Sequence, residues 1–521
     1  MDKLPLFLQL LRRRSRKGPS ARYDVRRETA VPVPAADGSP LLTDHYAPLT
    51  DEPCPTVLLR APYVRSGFPW NYLYGVLIAE QGFHVLLQSS RGTGGSGGQF
   101  HTWRNEAPDG QAAVEWVRKQ EWFTGELYTV GASYMAYTQW ALGVDPPPEW
   151  RGAVIQVGMT DLHEFWWGGG AFRLERSLVG GLSLFGQART TKDYLWAMIR
   201  MQRTFQRAIA RVPLLDSYPS IFGGRRPAFE EWLAHPEPEF WTEGSLTHVA
   251  DRLDVPVSLC TGWWDLETAQ VIEQFNRLPE GTDLLIGPWT HTSSLEDGWE
   301  EIFAQTMRRL RGEPPAYRVR VHVGGPGEWR DLPSWPPPGV REEKWNLSEG
   351  KLHRGQGDGH TTFRYDPHDP TPSIGGPLQS KTQGQVDNAP LEKRADVVLF
   401  TSEPLTRVIE VMGPVHAAFD ATTTAASGDL FARLCDVGPD GKSINICDGL
   451  ARIEDGRTVV RMSHAAHRFR PGHRLRLLVA GGAHPRYLRN YGTGEPPGPA
   501  TRMVATETTI RHTSELVLTV S

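Results

Sequence analysis

The stretch that most constrains how this chain can fold is LYTVGASYMAYTQWALG, at residues 127–143. A β-favouring run enters a Gly-Ala-Ser turn and leaves it as a helix-forming segment. This order predicts a nucleophile elbow, in which Ser133 is held in a strained conformation with its hydroxyl projecting. The amide of Tyr134 would then lie at a helix N-terminus, which suits an oxyanion. Because Met135 replaces the second glycine of the G-x-S-x-G pattern and Ala136 only follows it, the motif alone does not establish catalysis.

Length and composition predict an ordinary globular protein of about three domains, since the chain has 521 residues of which 39% are hydrophobic. The formal net charge of -4 gives no reason to expect a nucleic-acid partner. No apolar stretch approaches the roughly 20 residues of a membrane span, so none is predicted. Four widely spread cysteines predict reduced thiols in a cytoplasmic protein, with neither a disulfide framework nor metal-ligand spacing: Cys54, Cys260, Cys435 and Cys447.

Residues 1–21 are predicted to form an N-terminal extension, in which a short apolar run precedes the basic segment RRRSRK. A secretory signal has the opposite order, with its charges before the apolar core, so we do not expect one here. Two interpretations stay open: a plain solvated extension, which we favour, and a helix that docks on a membrane surface or a partner.

Short β-favouring runs alternate with helical or loop-rich connections over residues 22–160 and 250–302, which predicts an α/β domain. The later runs are apolar, as in a parallel sheet that is buried on both faces. Residues 109–120 place apolar side chains on one face of a helix. Eight strands are expected, at residues 22–33, 41–46, 56–60, 83–88, 127–131, 153–157, 257–261 and 284–288.

Two further regions complete the predicted architecture. Residues 161–249 interrupt the sheet after a strand and are rich in aromatic and helix-forming residues, which is typical of a helical cap. In residues 303–521, short strands such as AYRVRVHVG and HRLRLLVAGG are separated by turns, which predicts a jelly-roll β-sandwich. The expected fold is an α/β-hydrolase core with an inserted helical cap and a C-terminal all-β jelly-roll domain.

A serine nucleophile needs a base, and the base needs an acid that orients it. In α/β-hydrolases the acid and the histidine follow the serine in the chain, each on a loop after a strand. Asp265 follows the run VSLCTGWW, and His291 follows LLIGPWT, the last strand expected in the sheet. Asp161 is a rival acid, although its D-L-H-E context is typical of a helix cap. We therefore predict a triad of Ser133, His291 and Asp265.

Several motifs together resemble one family of hydrolases. In chain order they are RAPYVRSG around Tyr63, SSRGTGGSGG at residues 89–98, GASYMAYTQW, GWWD and GPWTH, followed by DLFARLCDVGPDGKSINICDG and FRPGHRLRLLVAGGAHPRY. Their order is similar to that in the cocaine esterase-like and X-Pro dipeptidyl-peptidase hydrolases, and the resemblance extends over nearly the whole chain. It implies the three-part fold described above.

The resemblance also implies a role for each matched residue. It assigns Ser133 as the nucleophile, His291 as the general base and acid, and Asp265 as the residue that orients the histidine. It implies in addition that Tyr63, the tyrosine of an R-x-P-Y motif, donates a phenolic hydrogen bond to the oxyanion together with the Tyr134 amide.

Two positions depart from the family pattern. Ala136 stands where relatives usually have glycine, a change that should still let the helix and strand pack closely. Ser89 stands where many relatives have the aspartate of a D-x-R-G loop, which leaves the anchoring of Arg91 open.

The sequence is less informative about the substrate. Glu267 lies near the point where relatives that hydrolyse α-amino acid esters place carboxylates that bind the substrate ammonium. Because Thr268 follows it, such a carboxylate cluster would be incomplete. Five apolar residues could line an acyl pocket, although core packing explains each of them equally well: Trp166, Trp167, Phe172, Trp264 and Leu266.

The predicted function is that of a serine hydrolase that cleaves an ester, or alternatively an amide or X-Pro peptide, through an acyl-enzyme. Two alternatives stay open: an acyltransferase that uses the same triad in a biosynthetic pathway, and a carbohydrate-binding protein with a vestigial site. The expected partner is a small-molecule ester or amide, and a homodimer is left open.

No cofactor or metal is expected. The GTGGSG loop at residues 92–97 opens no helix, as a dinucleotide site would require. The group formed by His464, His467 and His473 lacks accompanying carboxylates in the sequence, so a metal site is not predicted there.

Overall fold

A computed structural model describes residues 19–63, 65, 71–185 and 191–521 of the chain. The basic N-terminal segment, residues 1–18, lies outside this part, so both interpretations of it stay predictions.

The α/β domain is built on one ten-stranded sheet. Its strands are, in chain order, β1 (Val25–Pro34), β2 (Pro40–Pro48), β3 (Thr56–Ala61), β4 (His84–Ser89), β5 (Leu127–Ala132), β6 (Trp150–Gln156), β7 (Val257–Trp264), β8 (Asp283–Thr290), β9 (Val319–Val323) and β10 (Glu328–Leu332). Their spatial order is β1-β2-β4-β3-β5-β6-β7-β8-β9-β10. The strands from β4 to β9 in this order are mutually parallel, and the remaining pairs are antiparallel. All eight strands expected from the sequence are present.

Helices cover both faces of this sheet and build the insert between β6 and β7. In chain order they are α1 (Leu77–Ala79), which continues a π-helical turn (Asn71–Val76), α2 (Glu106–Val117), α3 (Tyr134–Leu142), α4 (Leu162–Trp167), α5 (Leu174–Phe185), α6 (Thr191–Ala210), α7 (Leu214–Ser217), α8 (Pro219–Phe222), α9 (Pro227–Ala234), α10 (Pro238–Trp241), α11 (Thr268–Arg277), α12 (Trp299–Leu310) and α13 (Ala389–Glu392). Short 3₁₀ turns occupy Gly168–Gly170, Thr247–Val249 and Ser293–Leu295.

The end of the first sheet differs from the prediction. The sequence placed the run AYRVRVHVG in the all-β region and treated β8 as the last strand of the sheet, but β9 pairs with β8 in parallel and β10 follows as the edge strand. The boundary at residue 303 was therefore wrong, because α12 also packs on this sheet. Only the valine side of β9 is buried, so apolar and polar residues alternate along this strand. A parallel strand near the edge of a sheet can therefore show the same alternation as an antiparallel strand.

The insert is helical, as expected, and comprises α4 to α10. Asp161 caps its first helix, since the side chain accepts a hydrogen bond from the Glu164 amide at 3.0 Å. This agrees with the capping role predicted for Asp161 and leaves Asp265 as the candidate acid. Within the insert, the rings of Trp166 and Trp232 stack with centroids 4.2 Å apart, and the aromatic residues continue the hydrophobic core on one face of the sheet.

The C-terminal domain is all-β. Its strands are β11 (Arg341–Ser348), β12 (Lys351–His353), β13 (His360–Tyr365), β14 (Val397–Ser402), β15 (Ile409–Thr423), β16 (Asp429–Val437), β17 (Ser443–Arg452), β18 (Arg457–Phe469), β19 (Arg474–Ala480) and β20 (Thr506–Val520). The order is β17-β16-β19-β14-β12-β11-β20-β15-β18, with β13 paired to β20. Since β17 and β18 also contact each other, the sheet is nearly closed. The predicted fold class is confirmed.

The cap packs directly on the all-β domain. The GGG segment at residues 168–170 makes this possible, because Gly169 adopts a φ of 77° and a Cβ there would collide with the Leu450 carbonyl of β17. The amide of Leu488 also donates to the Phe172 carbonyl at 2.7 Å. The three parts of the chain therefore form one body around the carboxyl edge of the first sheet.

All four cysteines are free and buried. In the described part of the chain, we find no helix whose length and apolar character would let it cross a membrane.

Candidate active site

Three predicted site residues each directly follow a strand of the parallel sheet. Ser133 follows β5, Asp265 follows β7 and His291 follows β8. Because these strands are parallel and lie close together in the sheet, their carboxyl ends meet at one edge. The fold thus brings together side chains that are far apart in the chain.

The three side chains form a hydrogen-bonded series. Asp265 Oδ2 lies 2.7 Å from His291 Nδ1, and His291 Nε2 lies 3.2 Å from Ser133 Oγ. Asp265 is buried, while Ser133 and His291 are half-buried. A base within hydrogen-bond reach of the serine, itself oriented by a buried carboxylate, is the arrangement that activates a hydroxyl for nucleophilic attack.

The backbone at Ser133 is strained, as the elbow predicts. Its φ is 59° and its ψ is -122°, a conformation that residues with a Cβ rarely adopt. The Ser133 amide is satisfied, since it donates to the Gln156 carbonyl at 3.0 Å. Gly131 is required by the turn, because a Cβ at this position would collide with the Cβ of Met135. The hydrogen bond and the close packing around the turn therefore hold Ser133 in its strained conformation.

Tyr134 begins α3 and is held by its side chain. Its hydroxyl donates to Glu106 Oε1 at 3.0 Å and accepts from the Trp103 amide at 3.0 Å, and its ring stacks on Trp103. Glu106 is in turn paired with Arg60 at 3.1 Å. Burial raises the pKa of the Tyr134 phenol well above its ordinary value, so the group stays a donor. With the side chain anchored in the core, the oxyanion role predicted for Tyr134 falls to its amide at the helix N-terminus.

Tyr63 lies two residues after β3, at the carboxyl edge of the sheet that also carries Ser133. It is half-buried and packs against the cores on both faces of the sheet. Its role as a donor to the oxyanion stays a prediction.

The loop after β7 holds the candidate acid through main-chain contacts. The Glu267 amide donates to Asp265 Oδ1 at 2.8 Å, and the Thr268 hydroxyl donates to the Gly262 carbonyl at 2.6 Å. Asp265 therefore has one carboxylate oxygen fixed by its own loop and the other facing His291.

Glu267 already has a counter-ion within the protein. Its Oε1 lies 2.9 Å from Nη1 of Arg176, which comes from the cap, and its side chain is 2% exposed. Gln270 donates to the other carboxylate oxygen at 3.1 Å. Burial raises the pKa of Glu267 above its ordinary value, and the guanidinium of Arg176 opposes this shift by favouring the ionised form. The resemblance suggested that Glu267 could bind a substrate ammonium. In the structure its carboxylate is buried and already paired with Arg176.

The apolar residues named as pocket candidates fall into two groups. Trp166, Trp167 and Phe172 are buried in the core of the cap, and the Trp167 indole donates to the Trp232 carbonyl at 2.8 Å. Trp264 and Leu266 flank Asp265 and are half-buried. Only the second group therefore presents accessible apolar surface beside the acid.

The structure shows how Arg91 is anchored although Ser89 replaces the aspartate that many relatives have in this loop. Arg91 is anchored by Asp109, with its Nη2 2.6 Å and its Nε 3.1 Å from the two carboxylate oxygens, and it also pairs with Asp37. The carboxylate that the loop lacks at Ser89 is thus replaced by one from α2 and one from the β1–β2 turn.

The histidine group in the all-β domain has a carboxylate that the sequence did not reveal. Asp436 accepts from His467 Nε2 and His473 Nδ1, each at 2.8 Å. The statement that the group lacks carboxylates was wrong, because Asp436 reaches it from the neighbouring part of the fold. Across the residues that the structure describes, no set of three or more His, Cys, Asp or Glu is arranged to hold a metal.

Sequence reasoning missed two residues that support the site, Glu106 and Arg176. Each acts on a partner far along the chain, Glu106 on Tyr134 and Arg176 on the loop after Asp265. No local pattern marks them.

A strained serine, a histidine and an aspartate in hydrogen-bonded series at the edge of an α/β sheet define the class, a serine hydrolase. Residues 37–293 match the family model described as X-Pro dipeptidyl-peptidase (S15 family), and residues 312–516 match that of the X-Pro dipeptidyl-peptidase C-terminal non-catalytic domain. The cocaine esterase of Rhodococcus sp. (strain MB1 Bresler) is 29% identical over 535 residues, which cover 89% of this chain and 92% of that protein. The chain belongs to the cocaine esterase-like and X-Pro dipeptidyl-peptidase family.

Solved structures share the whole fold. An aminopeptidase from the marine sediment archaeon Thaumarchaeota archaeon superposes with a TM-score of 0.81 at 20% identity and covers 97% of each chain. An α-amino acid ester hydrolase superposes with a TM-score of 0.76 at 20% identity, over 96% of this chain and 98% of that one. At such identities the likeness concerns the fold alone.

Proposed function

We propose that this chain hydrolyses a carboxylic ester through an acyl-enzyme formed on Ser133. The observation that carries the proposal is the series from Asp265 through His291 to Ser133, with 2.7 Å and 3.2 Å between the paired atoms. A serine hydroxyl is a weak nucleophile unless a base takes its proton, and His291 Nε2 lies where it can do so.

In the first half-reaction, Ser133 Oγ attacks the ester carbonyl carbon while its proton passes to His291 Nε2. The Tyr134 amide and the Tyr63 phenol donate hydrogen bonds to the oxyanion of the tetrahedral intermediate. When the intermediate collapses, the ester C–O bond breaks and the leaving alcohol takes the proton from His291. Asp265 stays ionised and stabilises the imidazolium.

In the second half-reaction, water gives a proton to His291 Nε2 and its oxygen attacks the acyl carbon. The bond between the acyl carbon and Ser133 Oγ then breaks, Ser133 recovers the proton from His291, and the carboxylic acid leaves. The same residues thus serve both steps, and the proton of the histidine is returned in each.

We further propose that the acyl group carries no α-ammonium. A substrate cation beside Glu267 would add a second positive charge to a carboxylate that Arg176 already neutralises at 2.9 Å in a buried setting. The half-buried side chains of Trp264 and Leu266 provide apolar surface next to Asp265, which suits an uncharged acyl group. Plain acyl esters should therefore be cleaved in preference to the matching α-amino acid esters.

The test is intact-mass analysis after treatment with a fluorophosphonate, followed by assay with a short-chain aryl ester. We expect one adduct and ester hydrolysis in the parent protein, and neither in Ser133→Ala. Ser334→Ala is the matched control, because Ser334 is exposed and donates only to the Pro336 carbonyl. An adduct that persists in Ser133→Ala, or its absence from the folded parent, would contradict the proposal.

A substrate panel separates the alternatives. Matched aryl ester, aryl amide and X-Pro anilide substrates distinguish ester cleavage from peptide cleavage. Product analysis with an added alcohol or amine distinguishes hydrolysis from acyl transfer, and transfer in preference to hydrolysis would show that water is not the natural acceptor.

A further inference from the structure

A buried arginine of the cap, Arg176, contacts the loop that carries the candidate acid. Arg176 lies on α5 and is 8% exposed. Its guanidinium lies over the Phe165 ring at 4.5 Å, and its Nη1 donates to the Phe165 carbonyl at 2.7 Å. Burying a cation is costly, so its contacts with charged and polar groups decide whether the arrangement is stable.

Two further contacts of Arg176 reach the residues directly after Asp265. Its Nη2 donates to the Leu266 carbonyl at 2.8 Å, and its Nη1 lies 2.9 Å from Glu267 Oε1. The Leu266 carbonyl and the Glu267 N–H belong to one peptide group. That N–H is the one that donates to Asp265 Oδ1 at 2.8 Å. A single peptide plane therefore has the guanidinium at its oxygen and the carboxylate at its N–H.

This arrangement follows the dipole of the peptide group. A cation at the carbonyl oxygen polarises the amide and strengthens the hydrogen bond that its N–H donates, because hydrogen bonds in series reinforce each other at low dielectric. The bond to the carboxylate is charge-assisted as well. Rotation of the Leu266–Glu267 peptide would break both contacts at once, so Arg176 opposes that rotation.

We propose that Arg176 is a positioning residue that couples the cap to the triad. It fixes the Leu266–Glu267 peptide, the peptide fixes Asp265 Oδ1, and Oδ2 is thereby presented to His291. The inference rests on the proposed function, since it takes Asp265 as the acid of the reaction. Glu267 serves as the counter-ion of Arg176.

The test compares rates of fluorophosphonate labelling at Ser133 in full-length variants. Arg176→Met combined with Glu267→Gln removes both charges, so no uncompensated charge is left buried. Glu267→Gln alone keeps the guanidinium on the Leu266 carbonyl. Arg173→Met is the control, because Arg173 pairs with Glu164 and lies over Tyr487. We expect the double variant to be labelled about ten- to a hundredfold more slowly, as for a displaced catalytic group, and Arg173→Met to be labelled at the parent rate. Glu267→Gln should fall between them, because the guanidinium keeps its contact with the Leu266 carbonyl but loses its counter-ion.

A chemical rescue separates positioning from packing. Arg176→Ala combined with Glu267→Gln leaves space for a small cation, so added guanidinium ion should restore part of the labelling rate without affecting the parent. Melting temperatures of all variants are measured alongside. Double variants labelled at the parent rate, or slowed labelling that guanidinium does not change, would overturn the inference. Failure to label the parent would instead overturn the proposed function.

Discussion

At the scale of single residues, Tyr63 has the most direct expected effect on rate. It lies at the sheet edge that carries Ser133, and replacement by phenylalanine removes its hydroxyl while keeping the ring. Loss of one oxyanion donor typically costs about 10²- to 10³-fold in turnover, so we expect Tyr63→Phe to hydrolyse an aryl ester more slowly by that factor. The measurement is kcat for the aryl ester together with the melting temperature, which should change little.

A matched tyrosine variant serves as the control. Tyr23→Phe removes a hydroxyl that donates to Glu52 at 2.6 Å outside the site, so its turnover should equal that of the parent. Unchanged turnover in Tyr63→Phe would show that another group holds the oxyanion with the Tyr134 amide.

The three residues of the candidate triad could be named from the sequence because each directly follows a strand whose pattern is visible there. Arg176 could not, since its role depends on a peptide group that another part of the chain supplies. The same holds for Glu267, whose position was predicted to bind a substrate ammonium but whose counter-ion comes from the cap. The end of a strand can be recognised from neighbouring residues in the sequence, whereas the counter-ion of a charged residue can come from any part of the chain.

At the scale of elements, the packing of α3 depends on two small residues. A Cβ added at Gly158, just after β6, would lie 2.6 Å from the Cβ of Ala136. The alanine in place of the family's glycine is thus accommodated by a glycine opposite it. We expect Gly158→Ala to destabilise the protein by about 1–3 kcal/mol through overpacking, and to lower the melting temperature.

The opposite change provides the control. Ala136→Gly in the Gly158→Ala background removes the nearest atom that the new methyl group meets and leaves Ile155 Cγ2 at 3.2 Å, so it should recover most of the loss. The part not recovered is the cost of roughly 0.5–1 kcal/mol for glycine in a helix interior. If the two substitutions destabilise additively, they do not act through this contact.

Elements were predictable where burial and pattern agree. The later parallel strands appear as apolar runs and were expected, whereas β2 is buried as well although it carries Thr43, Asp44 and His45. β9 was assigned to the wrong domain because its valines face the core while its other side chains are half-exposed, the alternation of a one-sided strand. Pairing partners are set by the whole sheet, so this pattern could not distinguish the edge of one sheet from the start of the next.

At the scale of the whole molecule, a loop of the all-β domain, residues 371–388, contacts the residue that follows His291. Gln383 donates to the hydroxyl of Thr292, the neighbour of His291, at 2.9 Å. The loop is held at its base by Arg433, which donates to the Ile374 carbonyl and to Asn388 Oδ1, each at 2.7 Å, and pairs with Asp448. A buried and fully paired arginine makes this loop a fixed part of the domain.

The contact between Gln383 and Thr292 predicts an effect on the rate at which Ser133 is labelled. A neutral hydrogen bond is worth about 1 kcal/mol, so Gln383→Ala should slow fluorophosphonate labelling of Ser133 by about three- to tenfold as the histidine loop loses its restraint. Lys381→Ala, on the same loop and exposed, should leave the rate unchanged. Thr292→Val removes the acceptor, so Gln383→Ala should have no further effect in that background. If it slows labelling equally there, the loop influences the site through a contact other than this one, and the all-β domain does not restrain His291 through Thr292.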